Sequence, residues 1–175
     1  MFVGKKVIKV QLSSSGIDDA IKELNAYEKD IQTKTKLLRK RVSERIAELS
    51  QSGFNGAKVD VLLDGMSNGA DVGVRIEEGD NVTYVKANGD AVWVEFGAGV
   101  YFNGSVGSSP HPKGSQLGFT IGGFGKGRGK GKVWGFTDEE GELKLTHGTQ
   151  ATMPMYNATK IVYDEIVSIA REVFR

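Results

Sequence analysis

The stretch GKGRGKGK, residues 125–132, poses the first chemical question, because glycine alternates there with Lys126, Arg128, Lys130 and Lys132. A phosphate-cradling P-loop needs two glycines five apart, then lysine, then serine or threonine. None of the Gly-Lys pairs at 125, 129 and 131 has a glycine at the required earlier position, and no window reads G-x-G-x-x-G. Spacing therefore excludes a nucleotide cradle. In an extended segment the basic side chains would all point one way and the glycines the other. Successive charges would then stand roughly 6.6–6.8 Å apart. Such a comb could follow a phosphate backbone and release counterions without reading sequence. A soluble, mobile loop tip and a contact with an acidic protein neighbour are the alternatives.

Other reactive groups are sparse. The two histidines, His111 between Pro110 and Pro112 and His147 before Gly148, lie far apart in sequence and in no metal-ligand spacing. Glu95, in VWVEFG at an expected strand end, could act as a base, be an exposed strand residue, or bond backbone N–H groups in the glycine turn. Ser108 and Ser109 have no nucleophile-elbow pattern around them. With 0 cysteines there is neither a disulfide framework nor a thiolate zinc site. The sequence thus assigns no catalytic, cofactor-binding or metal-binding residue. A hydrolase built on His111, His147 and Glu95 stands as a rival reading.

The elements that must position these groups begin with a short strand expected over residues 3–12. Ser13, Ser14 and Ser15 offer N-caps, with Asp18 three residues after Ser15. From Ile17 to about Ser52 there is no glycine or proline. Ile17, Ile21, Leu24, Ile31, Leu38, Val42 and Leu49 recur at helical spacing, and Gly53 supplies a stop. Such a helix spans roughly 54 Å, against a radius of gyration of about 16 Å for a domain of this size. It must kink, or project and pack on a neighbour. Its run KTKLLRKR, 34–41, holds five basic residues and reads as a solvated face or as a DNA patch.

Period-two alternation follows. Val59, Val61 and Leu63 share one face; Ala70, Val72, Val74 and Ile76 share another. Gly79-Asp80-Asn81 and Asn88-Gly89 read as hairpin turns, and AVWVEF, 91–96, as a further strand. A second hairpin is expected within 132–145, turning at Asp138 to Gly141. Thr152 or Met153 then caps a last helix with Pro154 in its first turn. Met155, Ala158, Val162, Ile166, Ile169 and Val173 form its buried stripe. The fold class is therefore α+β: an antiparallel meander of about four or five strands against a long N-terminal and a C-terminal helix. Residues 1–175 read as one domain, with 98–132 a flexible Gly-rich, basic arm.

Totals narrow the partners. Formal charge is +1, so no global field drives the chain onto DNA or membrane, and nucleic-acid contact must be local. At 39% apolar content the chain is globular, and nothing approaches 18 apolar residues in a row. A soluble protein made in the cytoplasm, with no membrane partner, is expected.

Two stretches together carry a resemblance. AVWVEFGAG, 91–99, resembles the A-x-[aromatic]-V-E-F-G-[small]-G signature of a bacteriophage head–tail joining family. These are the neck or tail-completion proteins of long-tailed phages, typified by the tenth gene product of a lambdoid coliphage. KVWGFTDEEGELKLTHGTQATMPMYNATKIV resembles the family's C-terminal pattern: an aromatic hairpin, Thr146-x-Gly148, then Ala151, Pro154, Met155-Tyr156 and Ala158. Met155 stands where phenylalanine is frequent, and Ala98 where threonine is common. The resemblance implies a non-enzymatic virion part, a head-to-tail ring at the head–tail junction, assembled in the host cytoplasm between portal-side connector and tail proteins. It implies interface roles for Glu95, Phe96, Gly97, Phe119, Phe124, Trp134 and Phe136. Lys126, Arg128, Lys130 and Lys132 would touch passing DNA without sequence specificity, or a partner ring. A tail terminator or tail-tube component is the alternative within the same class, and a non-sequence-specific nucleic-acid-binding module is the alternative outside it.

Overall fold

The computed structural model describes residues 7–60, 67–98, 109–114, 116, 117, 133–137 and 140–175. The chain is α+β, as expected: a long N-terminal helix, short antiparallel sheets and a C-terminal helix. Helix α1 runs Ser14–Asn55, 42 residues, capped by Ser13, whose Oγ accepts the Gly16 N–H at 3.1 Å. It is about 63 Å long. Gly53 does not end it; the helix closes at Gly56, whose N–H reaches the Ser52 and Phe54 carbonyls. Gly53 instead permits contact with the last helix, since a Cβ there would sit 2.8 Å from the Pro154 Cβ. The strand expected over 3–12 is not formed at Val7–Gln11, because no described strand pairs with it to satisfy its backbone groups.

Strand β1, Lys58–Asp60, pairs antiparallel with β2, Ser67–Gly69, and with β7, Gly148–Thr149. Strands β3, Val74–Glu78, and β4, Thr83–Ala87, form a hairpin in which Val74 faces Ala87 and Glu78 faces Thr83. Its turn is the expected Gly79 segment, closed by the Gly79 N–H on the Val82 carbonyl at 2.8 Å. Strands β5, Trp134–Thr137, and β6, Leu143–Thr146, form the second expected hairpin, with Gly141 at φ 84°. Among the described residues the strands are thus shared among three small sheets rather than laid out as one meander.

One reason is a correction at AVWVEF. These residues form not a strand but a short helix, α2, Ala91–Phe96. Asn88-Gly89 accordingly does not turn a hairpin. Gly89 takes φ 62°, and a Cβ there would lie 2.0 Å from the Asp71 carbonyl oxygen. That tight passage swings the Asp90 N–H onto Asp71 and lets the Asp90 carbonyl accept from Trp93 and Val94 at 3.0 and 3.1 Å. Ala91, Val94 and Ala98 are buried while Val92 is exposed, a helical rather than a two-residue period.

The core gathers Phe54, Ala57, Val72, Ala91 and Val94, with Ala70, Val74 and Met155 packed against them. Helix α1 is fixed to β3 by the Gln51 amide. Its Oε1 accepts the Val74 N–H and its Nε2 donates to the Val72 carbonyl, both at 2.9 Å. Helix α3, Pro154–Val173, lies along the C-terminal half of α1 and buries Pro154, Ala158, Val162 and Val173. Arg41 meets Glu172 at 3.3 Å and Arg45 meets Glu165 at 3.2 Å, so the two helices run in opposite directions.

Ser50 is fully buried in α1, and its hydroxyl has no partner among the described residues. An unsatisfied buried hydroxyl costs about 1–3 kcal/mol, and alanine is the better helix former. Ser50→Ala is expected to stabilise the fold by about 1 kcal/mol, read as a higher urea midpoint with an unchanged slope. A lowered midpoint would mean that the hydroxyl has a partner in solution.

Candidate functional site: a carboxylate–histidine knot at the start of the last helix

Helix α3 starts without a local cap. Met153 at the N-cap position takes the left-handed conformation, φ 56° and ψ 51°, and supplies no side-chain hydrogen bond. The first free N–H groups of the helix must then be satisfied from elsewhere. Glu95 does this from α2: Oε2 accepts the Met155 N–H and Oε1 the Tyr156 N–H, both at 2.9 Å. A carboxylate also suits the positive end of the helix dipole. Around it, the Val94 carbonyl accepts from Thr152 and Met153, and Ala98 exchanges both backbone bonds with Thr149.

His111 completes the knot. Its Nε2 lies 3.3 Å from Glu95 Oε1, with the two side chains only 6% and 9% exposed. Its Nδ1 accepts the Lys113 N–H at 3.0 Å. The ring proton therefore sits on Nε2 and is donated to Glu95. The imidazole is tilted against Phe96 at 4.4 Å and meets Tyr156 edge-on at 5.3 Å. Pro110 and Pro112 restrict the backbone on either side of it. Ser109 Oγ donates to the Phe96 carbonyl and accepts the His111 N–H, which ties this loop to the end of α2.

Both ring nitrogens of His111 and both oxygens of Glu95 are thus occupied by partners within the chain. Of the triad in the hydrolase reading, Glu95 and His111 come together, and His147 sits half-buried between β6 and β7. Among the described residues no group of three or more His, Cys, Asp or Glu could hold a metal ion.

Of the other sequence-predicted residues, Glu95, Phe96 and Gly97 lie in the knot itself. Trp134 and Phe136 lie on β5. Phe119, Phe124, Lys126, Arg128, Lys130 and Lys132 lie outside the described residues. The basic run 34–41 borders a cleft between α1 and the β3–β4 hairpin, lined by Lys36, Arg39 and Lys40 on one side and Glu78, Asp80 and Thr83 on the other. Arg39 donates to the Asp80 carbonyl at 2.8 Å, Lys34 pairs with Asp30 at 3.0 Å and Arg41 with Glu172. On the same hairpin, the Lys86 ammonium, aided by Arg75, holds the Glu77 carboxyl below its ordinary range. The cleft is a mixed-charge surface rather than a continuous basic stripe.

Sequence reasoning missed that Glu95 caps α3 and pairs with His111. One signal was available: a helix opening Met-Pro, with no acceptor at its N-cap, must borrow one.

Compared with protein-family models, curated proteins and solved structures, the chain matches none of them. Among the described residues no helix is long and apolar enough to cross a membrane.

Proposed function

We propose that the protein is a non-enzymatic structural component of a phage head–tail connector, a neck or tail-completion protein that assembles as a ring between portal and tail. The observation that carries this reading is α1. All ten residues 21–30 are exposed, and Ile17, Ile21 and Leu24 stand 47–54% open on one face. A helix that leaves Ile17, Ile21 and Leu24 half-exposed beside the buried Ala20 suits a chain that finishes its packing on neighbours. The knot adds support. The two stretches that carry the family resemblance, AVWVEFG and TQATMPMYNA, are held together by Glu95 on the Met155 and Tyr156 amides. Their residues serve one another, which gives a structural rather than a catalytic reason for the pattern.

In this reading the glycine-rich segment 98–132 contacts adjoining rings or the DNA in the lumen. The test is light scattering behind size exclusion together with negative-stain imaging, with and without a DNA fragment at low and moderate salt. Closed rings that form without DNA are expected. A monomer that binds DNA tightly, and releases it steeply as salt rises, would overturn the reading in favour of a nucleic-acid module.

A further inference from the structure

The charges of α1 are segregated along its length. Residues 14–30 carry the acids Asp18, Asp19, Glu23, Glu28 and Asp30 against Lys22 and Lys29, whereas 31–43 carry five basic residues and no acid. Residues 14–30 form an arm of about 25 Å. Its stripe of Ile17, Ile21 and Leu24 continues the face that α1 packs inward further along, through Leu38, Val42 and Leu49. The basic stretch has an apolar centre of its own: Leu37, 39% exposed, flanked by the exposed Lys36, Lys40 and Arg41.

From this we infer that the acidic, apolar arm of α1 docks on the basic band around Leu37 of a second copy of this chain. The inference rests on the ring reading and deepens it by naming the contact. Two observations choose the occupant. The arm and the band are complementary in charge, and each carries partly exposed apolar side chains: Ile17, Ile21 and Leu24 beside the buried Ala20 on the arm, and Leu37 on the band. Within one continuous helix, residues 17–24 and residue 37 cannot meet, so in this pairing the band belongs to another copy. Several of the band's basic groups have intrachain partners at the surface, but such exposed pairs are weak and leave the net positive charge in place. Successive arm-to-band contacts are head-to-tail, the type of contact that closes a ring.

Sedimentation velocity on the full chain, over a range of concentration, tests this with two charge-reversed variants. One carries Asp18→Lys and Glu28→Lys; the other carries Lys36→Glu and Lys40→Glu. All four positions are exposed, so circular dichroism is expected to show unchanged helix content. Either variant alone should self-associate about tenfold more weakly or worse, because like charges then face each other. Mixing the two, or combining all four changes in one chain, should restore assembly. A third variant, Ile21→Asp with Leu24→Asp, should remain monomeric in every combination.

Rings that persist unchanged in all the variants would overturn this contact while leaving the ring reading intact. Small oligomers that respond to the charge reversals but never close would support the contact and overturn the ring. A wild-type chain that stays monomeric throughout would overturn both. Arm variants that weaken assembly without rescue by the band variant would place the arm on some other surface and overturn the pairing proposed.

Discussion

Replacing Glu95 by alanine is expected to destabilise the protein by about 3–5 kcal/mol, as expected when a buried carboxylate with several partners is deleted. The truncation strands the N–H groups of Met155 and Tyr156 at the uncapped start of α3 and the Nε2–H of His111. Each unsatisfied buried donor costs about 1–3 kcal/mol. Glu95→Gln separates the contributions. The amide keeps one acceptor oxygen but turns a donor toward one of the two helix N–H groups, so an intermediate loss of about 2 kcal/mol is expected. His111→Ala removes a single partner and should cost less than Glu95→Ala. In the double variant the losses should fall short of additive, because the two residues share one bond. Urea unfolding of each variant reads these values directly. Glu95→Ala stability within about 0.5 kcal/mol of wild type, the range of ordinary surface changes, would mean that α3 finds another cap.

Phe54→Ala is the second large loss, about 3–5 kcal/mol for a fully buried phenylalanine. Phe54 has no exposure and forms one core with Ala57, Val72, Ala91 and Val94. It sits in the last turn of α1, where the helix meets the sheets and α2, so its removal opens a cavity lined by several separate elements. Those elements are small and cannot easily collapse inward. The same truncation at Leu24, 54% exposed, should leave the stability of the monomer within about 0.5 kcal/mol. Comparing the two variants by thermal unfolding tests whether the core lies at the C-terminal end of α1 rather than along its whole stripe. Comparable losses at both positions would show that the arm is covered within the monomer.

Much of the architecture was legible in local pattern. The run from Ile17 to Ser52 without glycine or proline specified a helix, and the structure extends it by about one turn at its C-terminal end to Asn55. Gly79-Asp80-Asn81 and the segment ending at Gly141 marked turns that the structure places between paired strands. Of the stripe expected to be buried on α3, Met155, Ala158, Val162, Ile169 and Val173 are buried or half-buried, whereas Ile166 is exposed. What was not legible in that way was the fate of the apolar stripe on α1. Helical spacing identifies a face, but does not say whether the same chain supplies its cover. Here the C-terminal half packs on α3 and the β3–β4 hairpin, while residues 21–30 remain open.

The segment 91–96 marks the boundary between sequence and tertiary structure most sharply. Six residues read as a strand alternating Val92, Val94 and Phe96, but the structure folds them as a helical turn burying Ala91, Val94 and Glu95. Only the Gly89 turn against Asp71 and the core around Phe54 decide for the helix. That choice also aims Glu95 at an amide pair some 60 residues away in the chain. By itself the sequence determined the α+β class, the two long helices and the β3–β4 and β5–β6 hairpins, because helical period and turn chemistry act over a few neighbouring residues. Tertiary structure alone decided the joining of Glu95, His111 and the start of α3, because satisfying a buried N–H depends on which groups the whole fold brings within hydrogen-bond reach.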